Sequence, residues 1–462
     1  MARLHSSDIA AATGGTVIRG DASRTFSSFG IDSRTIIPGG LFFAIIAERD
    51  GHDYVAAAAA RGAAGAVVSH DIPGADPSFV LFKVKDTVAA LQDLARIVLA
   101  ARTVKVVGIT GSVGKTTTKE FVATLLAPSF RVLKSEANLN NHLGLALSIL
   151  RIEDDDEVAV LEMGMSALGE IRTLTKIAPP DIAVITNVAP VHLAFLGTME
   201  AIATAKGEIL EGLKSGGTAV LNSDDGWGRT LAKRAPGPVI FFGNGDDAEI
   251  RASEFIPLGF DGLQFRLFYD GSDHILQMPF LAEMHVQNFL AALGAARALG
   301  LPWDRLEPAM AGLAPVAKRG MIIRLTDGIT IIDDSYNSSP QALEAALRGY
   351  GRLPAKRHVA VLGDMLELGH EASTFHETAG RRAAQLGWDI VAIVGPLGRR
   401  IAEGARAEGL AANRILEFAT SAEAADALPE FIAPNDLILI KGSRGVRMER
   451  IVDRLRDLFK EI

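Results

Sequence analysis

Cysteine is absent from all 462 residues, so disulfides, thiolate metal sites and cysteine nucleophiles are excluded. No apolar run reaches the length of a membrane span, and the first eight residues lack the apolar stretch of a signal peptide. A cytoplasmic location is therefore expected. Positive charge is not in surplus: 47 Lys and Arg against 55 Asp and Glu leave a net charge of −8. That balance argues against a general nucleic-acid binder, because phosphate neutralisation drives such binding. Low-complexity segments and repeats of fixed period are also missing. Nothing demands a partner chain, and a monomer is expected. What the chain does have is apolar bulk, 48% of its residues, enough for about three domains that each bury a core.

The most informative stretch is 104–120. Val104–Ile109 reads as a buried strand, Gly111-Ser112-Val113-Gly114 as an unobstructed loop, and Lys115-Thr116-Thr117-Thr118 as the start of a helix continuing through Phe121, Val122, Leu125 and Leu126. A strand, a glycine loop and a helix N-terminus gather backbone N–H groups and a helix dipole around one point, which suits a phosphate chain. Lys115 can reach the terminal phosphates, and the Thr116 hydroxyl can bind the accompanying Mg²⁺. The strict pattern wants a glycine five residues before Gly114, where this chain has Ile109. The junction is the one the motif requires, so a bound nucleoside triphosphate is the reading rather than an ordinary turn.

Three α/β units are expected. Residues 1–100 carry strands at Gly40–Ile46 and Ala66–Val68 with a helix from Tyr54 to Arg61 between them, and polar clusters that include Ser33 and Arg34. An arginine fork suits phosphate oxygens, although such a cluster alone is more often a solvated turn. Residues 101–318 alternate strands and helices like a parallel sheet. Residues 319–462, after a boundary at Pro315–Gly320, form a second doubly wound, Rossmann-like unit. It opens with a hairpin through Asp327-Gly328, and Ser339-Pro340 is expected to cap its first helix.

Within the middle unit, Glu162 ends the strand Val158–Leu161, and His192 follows the strand Ile182–Thr186. Ligands of open parallel sheets bind outside the carboxyl ends of the strands, so both residues project towards the glycine loop as candidate magnesium ligands. In the helix Met199–Leu213 the apolar stripe Met199, Ile202, Ile209, Leu210 and Leu213 includes Lys206, while Glu208, Glu211 and Lys214 fall outside it. A snorkelling stem is the plain alternative, but an inward lysine beside His192 is the better reading. Asn138, Asn140 and Asn141 cannot form a core and offer amides to a peptide or sugar, and Asn288 offers one to adenine.

Taken together, Thr110–Glu120, Asn138–Asn141, Glu162-Met163-Gly164, Ala205–Ile209, Asp333-Asp334-Ser335-Tyr336-Asn337 and Leu362-Gly363-Asp364-Met365 resemble the Mur ligases, ATP-dependent amide-forming enzymes of peptidoglycan synthesis. The likeness spans the chain in family order. Asp-Asp-Ser-Tyr-Asn and Gly-Asp-Met-x-Glu-Leu-Gly are similar to the branch that adds D-alanyl-D-alanine to UDP-N-acetylmuramoyl-tripeptide. The resemblance implies ATP and Mg²⁺ as cofactors, and an acyl phosphate made on the tripeptide carboxylate. It implies that Gly111, Ser112, Val113, Gly114, Lys115, Thr116 and Thr117 cradle the triphosphate, and that Thr116, Glu162 and His192 hold magnesium. It also implies a carbamylated Lys206 as a further metal ligand, and catalytic roles for Lys115, His192 and Lys206. Asn288 would contact adenine, Arg319 and Asp334 phosphate and ribose, and Ser33, Arg34, Asn138, Asn140, Asn141, Tyr336 and Asn337 the substrates. Three positions depart from the pattern. Met284 stands where the family often has His, Lys318 where a glycine commonly precedes the hinge arginine, and Ala194 where a glutamate often follows the histidine. The competing readings are another amino-acid-adding ligase of this superfamily, a P-loop ATPase that forms no amide, and a pure binding module.

Overall fold

The computed structural model describes residues 2–73, 76–136 and 138–462. Ala137, at the head of the asparagine-rich loop, and Met1 lie outside the described residues.

The central nine-stranded sheet is built outward from Lys105–Thr110, which lies between Val158–Glu162 and Ile182–Ile185. From Val132–Lys134 to Ile250–Pro257 every neighbouring pair is parallel. Glu162 pairs with Ile109 and Ile185 with Thr110, so the three strands end side by side at one edge. The sheet is thus mostly parallel, as expected, and its far edge is the antiparallel part. Leu263–Tyr269 and Ser272–Met278 form an antiparallel hairpin on Ile250–Pro257. Asp270 and Gly271 both have positive φ (47° and 79°), the geometry of a two-residue hairpin turn. Leu263–Tyr269 alternates buried and half-buried residues, as befits a sheet with one face towards solvent.

Side chains along Lys105–Thr110 alternate between two cores. Val107 and Ile109 pack beneath the helices Lys115–Leu126 and Glu283–Ala298, whereas Val106 packs towards Met199–Glu211 and Glu170–Ile177. The second of these cores runs on, through Thr87–Ala100 and His142–Ile149, into the first unit, where it takes in Phe26, Leu41, Phe43 and Phe82. The first unit therefore shares one apolar core with the central unit, and on the other face of its sheet it buries a second of its own around Ile36, Phe42, Ala66, Val68 and Leu81.

The first unit has a five-stranded sheet in the order Thr16–Arg19, Val80–Lys83, Gly65–Val68, Leu41–Phe43, Phe29–Gly30. The strand expected at Gly40–Ile46 stops at Phe43, because Gly51 N–H donates to Ile45 O and the chain folds back there. Asp50 accepts from His52 N–H and starts the turn that leads into the helix Val55–Ala60.

The third unit is a six-stranded sheet in the order Met321–Arg324, Thr330–Asp334, Asp436–Lys441, Arg357–Gly363, Ile390–Val394, Ile415–Phe418. Only the opening hairpin is antiparallel, and its turn residues Asp327 and Gly328 have φ of 59° and 72°. Helices cover both faces. Pro340 occupies the first turn of Pro340–Tyr350, as expected, but Ser339 makes no capping hydrogen bond. Lys318, just before this unit, has φ 61°, the left-handed backbone that glycine adopts without strain. Among the described residues no helix is long and apolar enough to cross a membrane.

Candidate active site

A cleft of about 550 Å³ opens between the carboxyl edge of the central sheet and the third unit. One wall is the loop Ser112–Thr117. Gly114 has φ 90°, and a Cβ there would collide with Asn288 Oδ1; at Gly111 it would collide with Thr186 Oγ1. The loop is pinned from beneath by the segment that follows Ile182–Ile185. Ser112 N–H donates to Asn187 O, and Val113 N–H to Asn187 Oδ1, both at 3.0 Å. Thr186 Oγ1 donates to Val113 O at 2.6 Å. Sequence reasoning assigned nothing to Thr186 and Asn187, although a polar pair directly after an apolar strand beside the loop strand was the available signal.

Lys115 curls over the loop, donating to Gly111 O at 2.7 Å. Burial lowers its pKa; the nearby Glu162 acts in the opposite direction, and Arg319 lowers it further. Thr116 Oγ1 donates to Glu162 Oε2 at 2.8 Å, while Asn140 Nδ2 donates to Glu162 Oε1 at 2.9 Å. Glu162 is 2% exposed. His192 lines the same cleft, in a left-handed conformation (φ 58°), and burial lowers its pKa despite the nearby Glu367.

Lys206 is 1% exposed, which removes the snorkelling alternative. Burial pushes its pKa well below the ordinary lysine value, and the charge of Lys115 pushes it further. Among the described residues its side-chain amine has no hydrogen-bond or ion-pair partner, and Lys206 is not among the residues lining the cleft. Its neighbour Glu208 corrects the expected stripe: it is fully buried, not outside. Glu208 reaches across to accept from Gly169 N–H at 2.7 Å and Arg172 N–H at 3.1 Å, at the start of Glu170–Ile177. The helix is packed on more than the one face its apolar period marks.

The cleft also gathers Asn138, Asn140, Asn141, Asn288, Arg319, Asp334, Tyr336 and Asn337. Arg319 stacks 4.0 Å over the Tyr336 ring and places Nη2 at 3.4 Å from Thr116 Oγ1. Asp334 is tied to Lys441 by a buried 2.7 Å ion pair, and Asn141 Oδ1 is occupied in capping His142–Ile149. The hydroxyls of Ser338 and Ser339, also in the wall, are buried without partners among the described residues. Ser33 and Arg34 are not in this cleft. The Arg34 side chain is 86% exposed and its fork is taken by Asp32 at 2.7 Å.

A hydroxyl and a carboxylate already in contact, with an imidazole on the same cleft, are a donor set that fits magnesium, a hard cation preferring oxygen ligands.

A profile of the Mur ligase middle domain matches residues 109–296, and one described as the Mur ligase, glutamate ligase domain matches 318–444. Proteins named UDP-N-acetylmuramoyl-tripeptide–D-alanyl-D-alanine ligase are similar over nearly the whole chain. The one from Bacillus subtilis is 35% identical, covering 95% of this chain and 93% of its own. That from Escherichia coli is 32% identical, covering 94% and 95%. Among solved structures, a crystal structure of MurF from Acinetobacter baumannii superposes with a TM-score of 0.89 at 28% identity, covering 99% of both chains. MurF from Thermotoga maritima, in complex with ADP, superposes at 0.81 with 31% identity, covering 94% of this chain and 98% of that one.

Proposed function

This chain belongs to the Mur ligases, and from that premise we propose that it joins D-alanyl-D-alanine to UDP-N-acetylmuramoyl-tripeptide, using ATP, in peptidoglycan precursor synthesis. The observation that carries the reading is the shared cleft. The Ser112–Thr117 loop of one unit faces Arg319, Asp334 and Tyr336 of another, so that a nucleotide and a second reactant can meet in one space.

A carboxylate is a poor electrophile because oxide is a poor leaving group. In the proposed reaction the tripeptide carboxylate attacks the γ-phosphorus, the bond to the bridging oxygen breaks, and ADP leaves. The acyl phosphate then takes the dipeptide amine at its carbonyl carbon, and phosphate departs with the C–O electrons while the amine proton passes to solvent. Lys115 exchanges its Gly111 carbonyl for phosphate oxygens and offsets their charge, and the first-turn N–H groups of Lys115–Leu126 bind the rest. Thr116, Glu162 and His192, with Lys206 if carbamylated, are the proposed donors to magnesium, which would neutralise phosphate charge. The depressed pKa of Lys206 supports that modification, since carbamylation needs the neutral amine.

Residues 101–318 are assigned to ATP, with Asn288 for adenine. Residues 1–100 are assigned to the UDP-sugar-peptide, Ser33 and Arg34 serving the end of this long ligand that extends beyond the cleft, Asn138 and Asn140 its nearer part. Residues 319–462 are assigned to the dipeptide. The unpartnered hydroxyls of Ser338 and Ser339 support this, being groups a peptide ligand would satisfy. ATP as a substrate supports the cytoplasmic location expected above.

Phosphate release measured with UDP-tripeptide, with and without D-alanyl-D-alanine, tests the reading. Dependence on the dipeptide is expected, and Lys115→Ala should abolish it without unfolding the protein. Equal release with a single amino acid instead would favour another ligase of the family, and release independent of any amine a plain ATPase.

A further inference from the structure

We infer that Glu367 is a positioning residue for His192, a carboxylate of the third unit that fixes the orientation of an imidazole in the central one. The inference rests on the ligase reading and deepens it. The two residues are 175 positions apart, and His192 Nδ1 lies 2.5 Å from Glu367 Oε2. A second contact accompanies the first: Ala194 N–H donates to Glu367 O at 3.0 Å. A third is steric, since Gly369 sits so close that an added Cβ would lie 3.3 Å from Ala194 Cα. Side chain, backbone and packing thus join the short segments 192–194 and 367–369.

Two features argue for orientation rather than stability. The side chains of Glu367 and His192 are 45% and 25% exposed, and ion pairs of such exposure contribute little to folding. Both residues also adopt left-handed backbone, φ 64° and 58°, a conformation with a local cost for non-glycine residues. Structure of this kind persists where its surroundings over-determine it, as the three contacts here do. With Nδ1 engaged by the carboxylate, Nε2 is the ring nitrogen left for the cleft that His192 lines. Carboxylate partners orient metal-binding imidazoles in this manner. Because the carboxylate belongs to the third unit, the orientation exists only while that unit keeps its present contact with the central one.

The test compares Glu367→Ala, Glu367→Gln, His192→Ala and the double variant His192→Ala/Glu367→Ala. Glu367→Ala should lower kcat about 10- to 100-fold with little change in the KM for ATP, the loss typical of an imidazole's orienting partner. Glu367→Gln, which still accepts from Nδ1–H, should recover most of that loss. The double variant should be no worse than His192→Ala alone. Unchanged kcat in Glu367→Ala, or losses that multiply in the double variant, would overturn the inference. A second readout needs no turnover. The chain has no cysteine, so spin labels on Lys176→Cys and Arg399→Cys report the distance between the units without background. Glu367→Ala should leave that distribution in place, because the backbone bond from Ala194 and the packing of Gly369 remain, so that the loss of kcat reports lost orientation rather than lost docking. A shift to longer distances would show that Glu367 holds the units together rather than orienting the ring, and would overturn the inference even if no amine-dependent turnover were found, an outcome that would by itself defeat only the ligase reading.

Discussion

Thr116 and Glu162 meet at 2.8 Å although 46 residues separate them, because the strands carrying the glycine loop and the carboxylate are nearest neighbours that end in register. Glu162→Gln keeps the shape and an acceptor for Thr116 but removes the charge. We predict a fall in kcat of at least the roughly 10- to 100-fold that outer-shell partners of a metal cost. Raised magnesium should restore part of it. A magnesium titration of phosphate release checks this, and a magnesium response like that of the parent chain would contradict it.

Gly114→Ala brings two penalties, a left-handed backbone and a collision with Asn288 Oδ1. A loss of stability on the order of 1–3 kcal/mol, with weakened nucleotide binding, is expected. Adding Asn288→Ala should return the steric part and leave the backbone part. Urea unfolding and ATP titration of the single and double variants separate the two.

Lys206→Met replaces a buried amine that has no ion-pair partner among the described residues with an apolar side chain of similar length. Folding stability should hold or rise, since a buried polar group without a partner costs free energy that an apolar side chain does not. Activity should be lost and should not return with high bicarbonate. In the parent chain, ¹³C-bicarbonate should yield a carbamate signal that the variant lacks. Full activity in the variant would leave Lys206 without a chemical role.

His376 gives the clearest pH dependence. It is fully buried, accepts from Met365 N–H at Nε2 and has Nδ1 at 2.6 Å from Ala372 O, a pattern that requires the neutral ring. Burial lowers its pKa below 6.5, more than the nearby Ala372 carbonyl and Asp364 raise it. The unfolded chain therefore binds the proton more readily, so the stability it contributes is complete above pH 6.5 and declines as pH falls. The slope from this one group is at most about 1.4 kcal/mol per pH unit. His376→Gln should be less stable at pH 7.5 yet lose less between pH 7 and 5, as read from urea midpoints.

Much of the candidate site is legible in the sequence alone. The strand–glycine–lysine junction at Thr110–Thr116 is a local pattern and needs only neighbouring residues, whereas helical period groups Lys206 with the apolar stripe but misplaces the equally buried Glu208. The hairpin through Asp327-Gly328 is legible for the same local reason, and the tighter Asp270-Gly271 turn carries the same dipeptide within the stretch expected to alternate strands and helices. Arg34 shows what a local pattern leaves open: its fork suits phosphate oxygens, and in the structure Asp32, two positions away, accepts from it.

By itself, then, the sequence determined the chemistry on offer: the phosphate loop, the strand-end carboxylate, the buried lysine and the absence of cysteine. Only the tertiary structure decided which partners those groups have. Asn187 beneath the loop, Glu208 at a foreign helix start and Glu367 against His192 are pairings between distant positions. Periodicity reports which side of its own element a residue faces. Which side chain of another element waits there depends on strand order and packing.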